Sequence, residues 1–377
     1  AGLLPEIGAS AGYSRNRYDN ANAPNSSGTV RSWTLDLQQM IYRRDRFVQL
    51  KQADASIGQA DAQYASARQN LIVRVAQGYF GVLSAADNVT FAQSEKAAIG
   101  RQLEQARKRF EVGMIAITDV HEAKAAYDSA AAKEIAARNA LANAKESLRE
   151  ITGAYYDNLA QLGQQMPLVS PQPKKMEAWT KTAEDQNLQL KASEYATQVA
   201  KEGVDLQRSG HYPTLDLTAS YGYYKGSFSG FAQADRYNGS IGLQLNVPIY
   251  QGGGVNSRIR QAMQQYYQAR DNQEVQRRAT LRETRDAYRG VLTGISQVQA
   301  LHQAVISNES ALEATQAGFE VGTRTIVDVL LAESNLYGAK RDYAQSRYDY
   351  ILNSLKLKQA AGTLSVDDIK QINGWLQ

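Results

Sequence analysis

The residues of this chain that could do chemistry are few and scattered. Gly8-Ala9-Ser10-Ala11-Gly12 has the spacing of a nucleophile elbow. That motif needs a sharp strand-to-helix turn, with a histidine and an acid brought to the serine. Gly252-Gly253-Gly254 has the glycine density of a phosphate loop, but no Gly-Lys-Ser/Thr follows it, so the cation that would reach the phosphates is missing. His121, His211 and His302 are the only histidines and there is no cysteine. Disulfides, thiolate nucleophiles and Cys-ligated metals are therefore excluded, and an isolated helical histidine such as His121 is more simply structural than a metal ligand. No metal site, cofactor or catalytic residue is expected. Asp119, Arg324 and Asp328 lie beside Gly113 or Gly322, where an exposed ion pair would contribute only ~0–1 kcal/mol.

These residues must be placed by the elements that carry them. Hydrophobic residues make up 43% of the 377 and charged residues 21%, a composition of folded chains. Lysine and arginine number 42 against 38 acids, for a net charge of +4. With no basic run, no nucleic acid is implied. No stretch approaches 18 consecutive apolar residues, which excludes membrane helices but leaves membrane β-strands open. The chain opens at AGLLPEIG without a signal peptide and reads as mature or truncated.

The two halves are copies. Phe110-Glu111-Val112-Gly113 recurs as Phe319-Glu320-Val321-Gly322, an offset of 319 − 110 = 209. Over residues 110–153, twelve of 44 positions repeat at that offset, where chance gives roughly three or four. Asp119 meets Asp328, and Arg138 meets Arg347. A helical stretch from about Glu184 to Ser209 precedes the second copy, and the repeat predicts its counterpart ahead of Ala1.

Each copy begins with two alternating segments. Leu215, Leu217, Ala219, Tyr221 and Tyr223 share one face, as do Ile241, Leu243, Leu245, Val247 and Ile249. In the first copy Ile7, Ala9, Ala11 and Tyr13 are followed by Trp33, Leu35, Leu37, Gln39 and Ile41. Ser10 thus falls inside an alternating strand, not on an elbow. Such alternation fits transmembrane strands with one lipid face and one wet face, or equally two hairpins of a half-buried soluble sheet. Residues 14–29 and 224–239, rich in Asn, Ser, Gly and Tyr, read as exposed loops.

Proline-free helix follows over about 43–112 and 255–318. At ~1.5 Å per residue each helix is ~100 Å long. In the second, Val291, Val298, Val305 and Leu312 form a heptad seam, and a companion seam decays through Tyr288, Ile295, His302 and Glu309, which is coiled-coil spacing. Gly113 and Gly322 break the helices, and shorter helices return to Gly153 and Gly362. Residues 160–181, with Pro167, Pro171 and Pro173, read as a linker. The predicted segments are a first β-hairpin at 1–42, a long-helix hairpin at 43–159, a linker and equatorial helix at 160–211, a second β-hairpin at 212–251, a second helix hairpin at 252–363 and a C-terminal equatorial segment at 364–377. The fold class is α+β and mostly α. Four strands cannot close a barrel in lipid, where free edges are costly, so membrane strands would require chains to associate.

VGTRTIVDVL at 321–330, AITDV at 116–120, SRYDYIL at 346–352, PIYQGG at 248–253 and PTLDLTAS at 213–220 resemble the TolC family of outer-membrane efflux and secretion channels over nearly the whole chain. The resemblance implies a homotrimer with a twelve-stranded β-barrel continuous with a periplasmic α-helical barrel. It implies a passive exit duct in the Gram-negative outer membrane, serving drug efflux or type I protein secretion. The duct would dock a periplasmic adaptor and an inner-membrane transporter. It also implies site residues. Thr118, Asp119, Phe319 and Arg324 match the ties that close the periplasmic end, although the family's best-known member has tyrosine at the position of Phe319, so one hydroxyl tie is absent. Asp328 matches an entrance acidic ring whose second position falls on Leu331. Val112, Gly113, Val321 and Gly322 match the tip turns that dock the adaptor. A soluble fibrous or adhesin-like coiled coil is the alternative from another class.

Overall fold

The computed structural model describes residues 2–18, 26–156, 158–163, 166–228 and 234–377. The chain runs through β1 (Glu6–Tyr18), β2 (Ser26–Arg43), α1 (Arg44–Glu111), α2 (Ile117–Thr152), α3 (Met176–Gln186), α4 (Leu188–Arg208), a short 3₁₀ turn (Ser209–His211), β3 (Thr214–Phe228), β4 (Ala234–Asn246), α5 (Gly254–Glu320), α6 (Ile326–Ala360) and α7 (Val366–Asn373). The order strand, strand, long helix, returning helix therefore occurs twice. Among the described residues, no helix is long and apolar enough to cross a membrane.

The chain forms two compact units, each built from two separate stretches. One comprises residues 1–61 and 192–274, the other 62–191 and 275–377. The boundaries cut through α1, α4 and α5.

The first unit holds a four-stranded antiparallel sheet in the order β1-β2-β3-β4. Its register aligns the alternating residues into rows. Ile7 faces Leu37, Leu37 faces Ala219, and Ala219 faces Ile241. The neighbouring row on the other face runs Gly8, Asp36, Ser220, Ser240, with the last two hydroxyls 2.9 Å apart. Because the side-chain period is two, this register fixes one apolar and one polar face. Trp33, Tyr221, Tyr223 and Tyr237 form an aromatic band, with ring centroids 4.9–6.3 Å apart. β1 and β4 are edges.

The strands are longer than the alternation suggested. Residues 14–18 and 26–29, and 224–228 and 234–239, belong to strands and not to loops. Backbone pairing does not discriminate against Asn, Ser and Gly when both strands are extended, so polar flanks remain in the ladder. Only 19–25 and 229–233 of the expected loops fall outside the described residues. A register shift between Met40 and Tyr42 takes Ile41 out of the apolar row and puts Tyr42 opposite Leu215. Asp216, one residue on, is buried and holds Arg43 in a forked pair at 3.1 and 2.9 Å. β4 ends at Asn246, so Val247 and Ile249 are not strand residues; Pro248 has no N–H for the ladder. The following glycines turn the corner into α5, with Gly252 at φ 60° and Gly253 at φ 77°.

The second unit is helical. Its larger core joins Val73, Phe80 and Leu83 of α1 to Tyr288, Val291 and Val298 of α5 and to Tyr350, Ile351 and Leu355 of α6. The α5 heptad seam is buried at Val291 and Val298 and half-buried at Val305 and Leu312. The expected linker is shorter and better fixed than its prolines implied, because residues 176–181 belong to α3. The helical stretch after it is broken at Asn187. Its side chain accepts from the Leu190 N–H at 2.9 Å, capping α4, and donates to the Ala360 carbonyl at 2.9 Å.

Tyrosine hydroxyls pin the rest of the linker to the helices. Tyr79 donates to the Ala160 carbonyl at 2.7 Å. Tyr350 accepts from the Val169 N–H at 2.8 Å and donates to the Val169 carbonyl at 3.0 Å. Gln161 and Gln377 exchange two backbone bonds of 3.0 and 2.8 Å, beside a bridge between Leu162 and Leu376.

Candidate functional site

The sequence motifs outside the family resemblance are spread over separate elements. Ser10 lies mid-strand opposite Thr34. His211 bonds Asn256 at 3.1 Å, and His302 packs 5.2 Å from the Tyr343 ring. Among the described residues, no group of three His, Asp or Glu side chains could hold a metal ion.

The expected tip residues lie at the two helix-to-helix turns of the second unit. Gly113, at φ 75°, follows the end of α1, and its N–H donates to the Phe110 carbonyl at 2.9 Å. Gly322, at φ 81°, does the same after α5, donating to the Phe319 carbonyl at 3.2 Å. Both need the left-handed conformation that glycine adopts without a Cβ penalty. The valines before them project into solvent, Val112 at 70% and Val321 at 76% exposure. Met114 adds another exposed apolar side chain at the first turn.

The two turns differ in how the next helix starts. Ala116, the N-cap of α2, offers no side chain to the helix end, which leaves the Asp119 carboxylate without a cap partner. Thr325 caps α6 in a full capping box with Asp328. Those bonds hold the Asp328 carboxyl below its usual range, with Arg324 assisting. The residue expected in an entrance ring is therefore also a helix cap.

An apolar cluster joins both hairpins. Ile99, Leu103 and Ala106 of α1 pack with Ala123 and Ala130 of α2 and with Ile326 and Leu330 of α6. The alanines are almost fully buried, which allows close helix approach. Phe319 packs on this cluster. It also carries the Arg109 guanidinium 4.7 Å from its ring centroid, an attraction between cation and ring face. Arg109 and Phe319 thus link the ends of α1 and α5. Arg109 was not expected from the sequence. Its repeat partner is Gly318, so no motif marked it.

Thr118 and Asp119 on one hairpin, and Arg324 on the other, are not brought into an ion pair within the chain. Arg324 instead folds against its own turn, its N–H donating to the Gly318 carbonyl at 3.2 Å. Leu331 is exposed.

A second set of groups unseen in the sequence lies further up the hairpins. Glu95 of α1 is 1% exposed and accepts from Lys133 of α2 at 2.8 Å and Arg341 of α6 at 3.2 Å. One residue on, Lys96 pairs with Glu134 at 2.9 Å, and Arg138 reaches the same carboxylate at 2.6 Å. The bonds from Lys96 and Arg138 pull the Glu134 carboxyl down to about 2. These charges clamp α1, α2 and α6 side by side.

Comparison with known proteins agrees with this arrangement. A family model described as "Outer membrane efflux protein" matches residues 1–154 and 179–363. The chain is 44% identical to the outer membrane protein TolC of Vibrio cholerae, covering 100% of this chain and 86% of that protein. It is 41% identical to that of Escherichia coli over 99% of this chain and 78% of the relative. The alkaline protease secretion protein AprF of Pseudomonas aeruginosa is 30% identical, covering 90% of this chain and 71% of the relative. Among solved structures, the Campylobacter jejuni CmeC outer membrane channel superposes with a TM-score of 0.82 at 20% identity, covering 100% of this chain and 82% of that one. The Vibrio cholerae outer membrane protein VceC does so with 0.79 at 20% identity, covering 96% and 87%. The rows of the sheet, the long helix hairpins and these likenesses set aside the soluble fibrous alternative, and the chain belongs to the TolC-type family of outer membrane efflux proteins.

Proposed function

We propose that three copies of this chain form one passive exit duct. Each contributes four strands to a twelve-stranded barrel in the outer membrane, and its helices continue the wall as an α-barrel in the periplasm. The observation that carries this reading is the four-stranded sheet with an apolar row crossing every strand and two unpaired edges, β1 and β4. Backbone groups on a free edge cannot be satisfied by lipid. Each edge is completed by a neighbouring copy, and twelve strands leave a lumen that side chains do not fill. The internal repeat makes six similar hairpins around the helical wall.

The duct has no chemistry of its own. A periplasmic adaptor and an inner-membrane transporter supply energy and cargo, and the cargo is a small toxic compound or a secreted protein, in keeping with the family's efflux description and with the secretion role in the name of AprF. The adaptor docks at the tip turns carrying Val112, Gly113, Val321 and Gly322. Thr118, Asp119, Phe319 and Arg324 hold the tips closed through contacts between neighbouring hairpins. Asp328 forms a ring of carboxylates at the entrance. With Leu331 in place of a second acid, that ring binds multivalent cations weakly.

Native mass spectrometry in detergent tests the assembly. A trimer that opens pores in planar bilayers is expected. A stable monomer would overturn the duct.

A further inference from the structure

The seam between α1 and α6 above the tips holds an acid that the exit-duct reading leaves unused. Glu333 is 3% exposed. Its Oε1 accepts from the Gln102 amide of α1 at 3.2 Å, while its Oε2 is buried with no hydrogen-bond partner among the described residues. The charged and titratable groups that act on it come from two helices. Arg101 and Glu95 face it from α1, and Tyr337 from its own helix, with Lys340 beside Tyr337. Lys133 of α2 and Arg341 both direct their donors to Glu95, at 2.8 and 3.2 Å. Lys133 and Arg341 are therefore committed to the neighbouring carboxylate. Arg101 acts on Glu333 only through its charge, and the hydrogen bond to Glu333 comes from an amide.

A buried carboxylate with one oxygen unsatisfied is disfavoured against the neutral acid, which carries no charge to desolvate. A second carboxylate close by disfavours it further. Burial accordingly pushes the Glu333 carboxyl above its usual range. The Gln102 bond and Arg101 oppose the shift, and Glu95 adds to it.

We propose that Glu333 is a proton-binding site in the α1–α6 seam, and that losing this proton loosens the first turns of α6 from α1. The sign follows from linkage. An acid that holds its proton more tightly when packed stabilises the packed state fully at low pH, and this stabilisation is lost as pH rises through the packed-state value. Ile326 and Leu330 of the tip cluster lie within two turns of Glu333 on α6, so the loosening reaches the base of the second tip. The proton site stands on the seam alone; its effect on conductance rests on the exit-duct reading.

The test uses the intact protein in detergent between about pH 5 and 9, the span over which buried glutamates titrate. Infrared difference spectra should contain the carbonyl stretch of a protonated carboxylic acid, and Glu333→Gln should remove it. Deuterium exchange over residues 326–345, corrected for its intrinsic pH dependence, should rise several-fold with pH in the wild type and stay flat in Glu333→Gln. Glu95→Gln should move the rise to lower pH, because it removes the neighbouring negative charge. A protonated-acid band that persists in Glu333→Gln, or an exchange profile identical in the two proteins, would overturn the site. In bilayers, wild-type conductance should increase with pH and the Glu333→Gln channel should not respond. Absence of any conductance, with the infrared band present, would count against the exit duct and leave the proton site standing.

Discussion

The carboxylate of Asp328 accepts hydrogen bonds from both the backbone N–H and the hydroxyl of Thr325, each at 2.9 Å. At the equivalent place in the first copy, Asp119 lies three residues after an alanine. The two aspartates share a repeat position but not a task. One fixes the start of a helix, and the other makes no such cap.

Thr325→Ala should therefore fray the first turn of α6, at a cost of about 1 kcal/mol for a lost N-cap. Asp328→Asn should fray the same turn to a lesser degree while also reducing cation selectivity of the pore. The wild-type cap is stabilised by a depressed carboxyl, so its contribution is present above the ordinary carboxylate range and is lost as pH falls through the depressed value. Deuterium exchange over 325–331 in each variant, with trimer content measured alongside, checks the expectation. Wild-type protection in Thr325→Ala would mean that packing alone starts the helix.

Arg109 and Phe319 form a tie of ~0.5–1 kcal/mol per chain. Three copies acting on one closure equilibrium would contribute about 1.5–3 kcal/mol, a tenfold shift or more in a two-state balance. Arg109→Ala and Phe319→Leu should each raise single-channel conductance without changing assembly. Phe319→Tyr should keep the ring contact and leave conductance at or below that of the wild type. A more open Phe319→Tyr channel would argue against the tie.

Among the described residues Asp119 and Arg324 do not pair with each other, and the proposed closed state would pair them between neighbouring hairpins. Arg324→Ala, and more strongly Arg324→Ala with Asp119→Ala, should raise conductance in planar bilayers. Equal conductance in the wild type and the double variant, with trimers intact, would leave both residues as ordinary surface charges.

The Arg43–Asp216 fork is a test of the sheet. It sits beside the register shift of β2 and joins the hairpins of the two copies. Asp216→Ala removes two charge-assisted bonds from a buried position and should cost about 1–3 kcal/mol. The readout is a lower temperature for dissociation of the proposed trimer on gels. Arg43→Lys should retain part of the effect, since an ammonium cannot make the same fork. An unshifted dissociation temperature in Asp216→Ala would show that the ladder holds register unaided.

The strands were legible where Leu, Ile and Tyr alternate with Ser, Thr and Asp, because burial of one face leaves that imprint. They were not legible at 14–18 or 234–239, where no alternation of apolar and polar residues marks the sequence although the backbone pairs throughout. The long helices were plain from the missing prolines and the repeated tips. Their cross-links were not. Glu95 and Glu333 occupy positions that a heptad reading leaves unassigned, and only the azimuth of three packed helices brings Lys133 and Arg341 to one carboxylate. The Ile41 row failed for a local reason, since one extra residue at Met40–Tyr42 inverts every side chain after it. Arg109 had no motif to carry it, as a ring contact asks only for a cation within reach.

The pairing of Gln161 with Gln377 has a consequence in time. The two residues are separated by 377 − 161 = 216 positions, and a ribosome making ~5–20 residues per second needs ~10–40 s to cover that gap. Throughout that interval the junction between the copies is missing one side of its fold. The first helix hairpin is local and can form early, but the junction beside it must wait for the distant segment. A carrier that keeps the chain open during export therefore costs this pairing nothing, because one of its two strands arrives last.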